Sequence, residues 1–305
     1  MAGSIYEFFG YRAVDNSDLA REAAAAELCP FLSETCEKTL NDATVSGACT
    51  IKPMTTAPVI CCPIRLYADN YGMLRMISQR AFGEDQTLVP GPQARSVALR
   101  ERKTVVAVFG QRWGGELRLP KKSGHGNYFV DWILALVSAN GELREFVAVE
   151  VQTMDTTGNY RPGRQALLEG KREIIRTTVG INWENVSKRI IPQLVYKGQV
   201  LQRERLCRRG LFFVCPKPVL EHILERLGGT LPKYPDERAS ITFVAYDYSP
   251  SAQPQDGDIL PLTVVDSLPT SVEKLKESFN NVTLDETNVY QAAIEAALDD
   301  HGKAR

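Results

Sequence analysis

The stretch Asp131-Trp132-Ile133-Leu134-Ala135-Leu136-Val137-Ser138-Ala139-Asn140-Gly141-Glu142-Leu143-Arg144-Glu145-Phe146-Val147-Ala148-Val149-Glu150-Val151-Gln152 decides the reading of this chain. Two apolar runs, 132–137 and 146–149, flank Asn140-Gly141. Asn-Gly between apolar strands signals a two-residue type I′ hairpin, because both turn residues there need positive φ. With those two at the tip, Ala139 faces Glu142 and every facing pair of residue numbers sums to 281. Asp131 then faces Glu150, and Phe129 faces Gln152. Strand side chains alternate, so Asp131, Glu150 and Gln152 share one face at the end of the ribbon. Directly opposed carboxylates, with Cβ atoms ~4.5–5.5 Å apart, repel each other. Strands that are apolar on both faces belong inside a sheet, where burial makes that repulsion costlier. A divalent cation reverses its sign. Mg²⁺ takes oxygen ligands, commonly one or two carboxylates with water and phosphate, so the register predicts a metal site; the alternatives are a solvent-exposed strand end or a longer turn that shifts the register by one.

Outward from the hairpin, strands are expected at 105–109, 211–215 and 241–246. Helices are expected at 19–28, through most of 161–205, and at 218–227, 271–279 and 286–298, with a Pro/Asp/Gln/Ser loop over 247–262. This pattern gives a mixed α/β (α+β) fold around one central sheet. Residues 29–66, rich in Thr, Pro and Cys, show little periodicity and read as a loop-built module. The expected division is an N-terminal metal-binding module over 1–70 and a second domain over 71–305.

Five of the seven cysteines, Cys29, Cys36, Cys49, Cys61 and Cys62, lie within the first 62 residues. With no secretory pattern at the N-terminus, such a cluster suits a metal better than disulfides. A tetrahedral thiolate site takes zinc or iron. Buried reduced thiols are the alternative, since no CxxC pair is present. Cys61 and Cys62 compete for the fourth position, because adjacent residues of an extended segment point to opposite sides. Cys207 and Cys215 stand apart as single core or surface thiols.

The chain is 44 % apolar and 24 % charged, as in soluble globular proteins, and has a net charge of -1. That balance hides an asymmetry. Residues 161–210 hold 12 Lys or Arg against 4 Glu, and residues 231–305 hold 6 basic against 13 acidic residues. One basic surface beside an acidic one fits a single face meeting a polyanion. No apolar run approaches the ~18–20 residues that span a bilayer, so no membrane partner is expected and a soluble cytoplasmic protein is the default.

Asp at the start of one apolar strand and Glu-x-Lys at the end of the next form the core of the PD-(D/E)xK nucleases. Asp131 and Glu150-Val151-Gln152 resemble it, with Gln where Lys is usual. A closer resemblance is to the NotI-type restriction endonucleases. It rests on Glu7-Phe8-Phe9-Gly10, Cys29-Pro30-Phe31-Leu32, Cys62-Pro63, Gly114-Gly115-Glu116-Leu117, Asp131-Trp132 and Glu150-Val151-Gln152-Thr153-Met154-Asp155, in that order. Similarity continues at Gly158, Tyr160, Asn185-Val186, Lys188-Arg189 and the 193–197 helix. The resemblance implies a PD-(D/E)xK core with an N-terminal Cys₄ module. It implies a homodimeric bacterial type II enzyme cutting both strands of a GC-rich palindrome in double-stranded DNA, paired in its system with a DNA methyltransferase. The Cys₄ ligands would be Cys29, Cys36, Cys49 and Cys62, holding iron where chemistry alone favours zinc; Cys62 is preferred to Cys61 for the Pro that follows it.

On this reading Asp131, Glu150 and the Val151 carbonyl hold Mg²⁺, which lowers the pKa of a water for in-line attack on phosphorus. Gln152 orients that water, and Glu116 matches an acidic residue beside the family's metal site. Arg161, Arg164, Lys171, Arg172, Lys188 and Arg189 are the candidate DNA contacts, most of them to phosphate. His125, in the polar loop 121–127, reads as a solvated loop residue. Two rivals remain: a repair or junction nuclease on the same core, and a non-catalytic, metal-stapled DNA-binding protein.

Overall fold

The apolar runs assemble into one seven-stranded sheet in which every strand lies beside its neighbour in sequence, in a computed structural model of the chain. The structure describes residues 3–83, 86–115, 117, 129–281 and 288–300. Four strands, β1 (Gly3–Phe8), β2 (Tyr11–Arg12), β3 (Ala48–Pro53) and β4 (Val59–Ile60), form an N-terminal sheet in the order β2-β1-β3-β4. The central sheet follows: β5 (Thr87–Pro90), β6 (Val105–Gly110), β7 (Trp132–Val137), β8 (Leu143–Val151), β9 (Leu211–Pro216), β10 (Ile241–Tyr248) and β11 (Leu262–Thr270). Its pairs β5/β6, β8/β9 and β9/β10 are parallel and the others antiparallel. The mixed α/β expectation holds. Among the described residues no helix is long and apolar enough to cross a membrane.

The hairpin β7–β8 sits at the middle of the sheet, covered on both faces, as its unbroken apolar runs require. Its tip differs from the expected two-residue turn. Gly141 N–H donates to the Ser138 carbonyl at 2.8 Å, and Ser138 N–H donates to the Glu142 carbonyl at 2.9 Å. Gly141, with φ of 76°, is the loop residue in the left-handed region. This is a three-residue loop, in which one glycine closes a type I turn. The longer loop slips the register by one, so that Val137 pairs with Leu143. A bulge between Leu143 and Glu145 slips it back, and pairing runs from Leu136–Glu145 to Trp132–Val149. The two shifts cancel, and continuing one step sets Asp131 opposite Glu150.

Helices α1 (Asp18–Ala25), α2 (Ala68–Phe82) and α3 (Ala94–Glu101) precede the hairpin, and later helices lie where the strands need crossovers. The parallel step from β8 to β9 carries α4 (Arg161–Leu168) and α5 (Ile191–Leu201), and the step from β9 to β10 carries α6 (Lys217–Arg226). Residues 161–205 are less helical than expected. Between α4 and α5 the chain is irregular, apart from Gly180–Ile181 pairing with Thr156–Thr157 and a π turn at Val186–Ile190. Residues 29–66, expected to be loop, contribute two strands of the N-terminal sheet. Strands of two to six residues are too short for their alternation to stand out in sequence.

One apolar cluster runs from Ile5 and Phe8 through Ile51, Trp132 and Phe213 to Leu275, joining both sheets in a single core. A buried ion pair crosses it. Glu7 and Arg65 are both 0 % exposed. Arg65 Nε donates to both Glu7 oxygens at 3.1 Å and its Nη2 donates to Oε1 at 3.0 Å. Thr50 at 2.6 Å and the Tyr248 hydroxyl at 2.7 Å complete the carboxylate's shell. Tyr248 belongs to β10, so this pair fastens the N-terminal sheet to the central one. Breaking a buried pair from one side strands a charge, which costs about 3–5 kcal/mol. Arg65→Met should lower stability by about that amount in urea unfolding, and Glu7→Gln with Arg65→Met should recover part of it. A single variant within about 1 kcal/mol of the parent would exclude this role.

Candidate active site

The site is built on two strand ends and a helix. Asp131 immediately precedes β7, and its position is set by its neighbour Trp132, which is buried. The indole lies across β6 at Gly110, where a Cβ would come within 2.2 Å of the ring. Tyr67 and Tyr71 pack edge-on to it at centroid distances of 5.6 and 5.3 Å. Asp131 opens to the cleft, and its Oδ2 accepts a 2.7 Å hydrogen bond from Val151 N–H. Glu150, one residue before Val151 on β8, is 8 % exposed. The carboxylates thus meet across the strand pair as the register requires.

The third member comes from α5. Lys197 Nζ donates to Glu150 Oε1, and the two side chains are 19 % and 11 % exposed. Glu150 Oε2 is buried and has no hydrogen-bond partner among the described residues. Next to Lys197, Gly198 lets α5 settle onto α7 (Val272–Asn280). A Cβ there would lie 2.3 Å from Val272 Cγ2. That close approach fixes the height of Lys197 above the sheet.

Burial and then the charge of Asp131 push the Glu150 carboxyl up to about 7, with Lys197 opposing both. Asp131 is also raised, by the low-dielectric surroundings, while its Val151 hydrogen bond and Lys197 pull the other way. The two acids thus sit in surroundings that disfavour their charged forms, beside one ammonium. A cleft of about 470 Å³ opens beside Asp131, lined by it and Lys197 among apolar walls that include Phe109, Ile133 and Phe146.

The other expected site residues take different places. Gln152 turns its amide away and donates to the Thr153 carbonyl at 2.7 Å. Glu116 lies outside the described residues, as does His125. None of the six candidate DNA contacts lines the cleft. Arg164 is buried and donates to the Val45 carbonyl at 2.8 Å and to Glu27 at 3.1 Å. Arg161 pairs with Asp42 at 2.9 Å, Lys171 with Glu169 at 3.0 Å, Lys188 with Glu184 at 2.5 Å and Arg189 with Asp155 at 3.3 Å. Two guanidinium nitrogens of Arg172 are buried without a partner among the described residues. The cations that do line the cleft are Lys197 and Arg112, the latter held by Glu37. Arg112 does not stand out in the sequence; Lys197 ends the 193–197 stretch of family similarity, and the neutral Gln152 left an active site of this pattern short of a positive charge.

All seven cysteines are buried thiols. Among the described residues no three His, Cys, Asp or Glu side chains close around one point as a metal would draw them. The N-terminal thiols nevertheless sense one another. Burial raises Cys29, Cys49 and Cys62, the last to about 11; Cys61 and then Cys36 add to the rise at Cys62, Cys36 acts on Cys29, and Cys62 acts on Cys49. Cys61 points elsewhere, with Lys38 Nζ 3.0 Å from its sulfur and 2.9 Å from its carbonyl. Burial alone would lower the Lys38 pKa, but Cys61 and Cys62 outweigh it and raise it.

A protein-family model described as Restriction endonuclease NotI matches residues 13–208. That span contains the four candidate thiol ligands, both carboxylates and Lys197. No curated protein matches the chain.

A carboxyl with a raised pKa favours the folded state below the ordinary glutamate value of 4.5, and that contribution is lost as pH rises through about 7. The protein in EDTA should therefore lose thermal stability between pH 5 and pH 8. Asp131→Asn removes a stated cause of the shift and should shrink the loss. An equal loss in both proteins would show that the two carboxyls do not interact.

Proposed function

From membership of the NotI restriction endonuclease family, which makes this chain a type II, site-specific deoxyribonuclease acting on DNA, we propose a finer reading of its site. Asp131 and Glu150 hold Mg²⁺, and the chain cuts both strands of a short GC-rich palindrome. One observation carries this most: a buried Glu150 oxygen without a side-chain partner among the described residues, on a strand whose register sets Glu150 opposite Asp131. The core is of the PD-(D/E)xK type, in its Glu-x-Gln form.

The donor set fits a hard divalent ion, with carboxylate oxygens from Asp131 and Glu150 and a backbone carbonyl from Val151. When bound, Mg²⁺ neutralises phosphate charge and acidifies water for in-line attack. The chain's own groups do the rest. Val151 N–H orients Asp131, and Trp132 under Tyr67 and Tyr71 keeps that carboxylate at the strand mouth. Lys197 holds Glu150 from the opposite side. Burial of Glu150 strengthens its hold on a cation, and Asp131 presents its carboxylate to the open cleft. Gln152 and Glu116 stay as further candidates, Gln152 requiring a rotation away from Thr153 to face the cleft.

A palindrome carries the same sequence on each strand, so a twofold homodimer sets one site against each. Cutting such a palindrome goes with a methyltransferase that protects the host's own copies of it. Arg161, Lys171, Arg172, Lys188 and Arg189 remain candidates for phosphate contact; all but Arg172 would exchange a carboxylate partner for a phosphate one. Cys29, Cys36, Cys49 and Cys62 suit a structural iron or zinc. Their burial and mutual coupling support it, and the engagement of Cys61 with Lys38 leaves Cys62 as the fourth ligand.

Cleavage should need Mg²⁺. Asp131→Asn and Glu150→Gln should each lower the rate of plasmid cutting by about 10²–10³-fold or more while leaving DNA binding in Ca²⁺ intact. Mg²⁺-dependent cutting by either variant at the parent rate would end this assignment. For the N-terminal module, elemental analysis should find one iron or zinc per chain. Cys62→Ser should lose the metal and Cys61→Ser should keep it; the reverse would exchange their roles.

A further inference from the structure

We propose that Lys197, carried on α5, supplies the ammonium that stabilises the scissile phosphate, the charge that Gln152 cannot provide. This rests on the reading of Asp131 and Glu150 as the cutting site and adds a residue to it.

Three observations converge on Lys197. Its Nζ donates to Glu150 and its side chain lines the same cleft as Asp131. An ammonium has three donors, and Glu150 is the one acceptor given to it among the described residues. The remaining donors are available to oxygens entering the cleft. The other cation there, Arg112, already donates through both terminal nitrogens to Glu37. Gln152, at the position where the superfamily pattern has its lysine, is neutral and donates to Thr153.

The chemistry requires such a group. Attack on a phosphodiester gathers negative charge on the phosphoryl oxygens as the transition state forms. A preorganised cation in a dry cleft stabilises that charge more than it stabilises the ground state. Without Lys197 the phosphate would approach two acids with only the metal and the Glu37-paired Arg112 as counter-charge. The placement is also rigid: Gly198 seats α5 against Val272, so the ammonium is held by packing on one side and by Glu150 on the other.

A merely structural pair would serve Glu150 through a hydrogen bond, and an amide supplies that. The test therefore compares Lys197→Met, Lys197→Gln and Lys197→Met with Gln152→Lys, using a plasmid that the parent protein cuts. Both single variants should cut about 10²-fold more slowly at saturating Mg²⁺ and bind the same DNA in Ca²⁺ as the parent does. The added Gln152→Lys should restore at least tenfold of the loss, since it returns a charge to the same face. Cutting by Lys197→Gln at the parent rate would overturn the proposal, as would an unrescued double variant that binds DNA normally. Should Lys197→Met not fold, Lys197→Gln alone decides, because it retains a donor for Glu150. Asp131→Asn, run in parallel, separates the two failures. If it cuts, the site itself is misassigned; if it is inert while Lys197→Gln cuts, the role of Lys197 alone falls.

Discussion

Two carboxylates are brought together at the end of an apolar strand pair, and the rest of the molecule makes their nearness tolerable. Burial and the neighbouring charge of Asp131 both raise the cost of ionising Glu150. Proteins keep such pairs where a cation or a proton is wanted. Here Lys197 relieves part of the repulsion and leaves one Glu150 oxygen without a partner. Trp132, the two tyrosines and the close seating of α5 hold those three groups in place. A strained electrostatic arrangement thus sits on the most rigid part of the fold.

Much of this geometry was legible in the hairpin, though for an incomplete reason. The Asn140-Gly141 signal suggested a two-residue turn, and the chain makes a three-residue loop with Gly141 as its left-handed residue. The slip that follows is undone by the bulge before Glu145. Register in a buried pair is enforced by the side chains, since a shift of one would turn each strand inside out. The apolar runs thereby determine the pairing even where the turn is misjudged. Lys197 was not legible in that way. It stands 47 residues from Glu150 in the chain, and its position depends on how α5 packs on the sheet, which no local period encodes.

The N-terminal region shows the same division. Its cysteines could be counted and a shared role inferred, but the short strands of its sheet could not be read. The buried bond between Glu7 and Arg65 spans 58 residues and reaches Tyr248 beyond them. Glu7 looks, in sequence, like the polar start of a turn. Its burial follows only once β1 is paired with β3 and covered by β10. The choice between Cys61 and Cys62 was likewise open in sequence; the fold sets Lys38 against the Cys61 sulfur. Arg164 is the opposite case: a basic residue suited by type to phosphate that the fold uses to attach α4 to the N-terminal module.

The central claim concerns where one ion sits. Anomalous diffraction from crystals of the protein grown with a cuttable DNA duplex and Mn²⁺, at a wavelength chosen for manganese, tests it without reference to rate. The expected result is a manganese peak within bonding distance of carboxylate oxygens of both Asp131 and Glu150, with Lys197 on the adjoining phosphate. A peak elsewhere on the protein, or carboxylates that bind DNA with no ion between them, would contradict it.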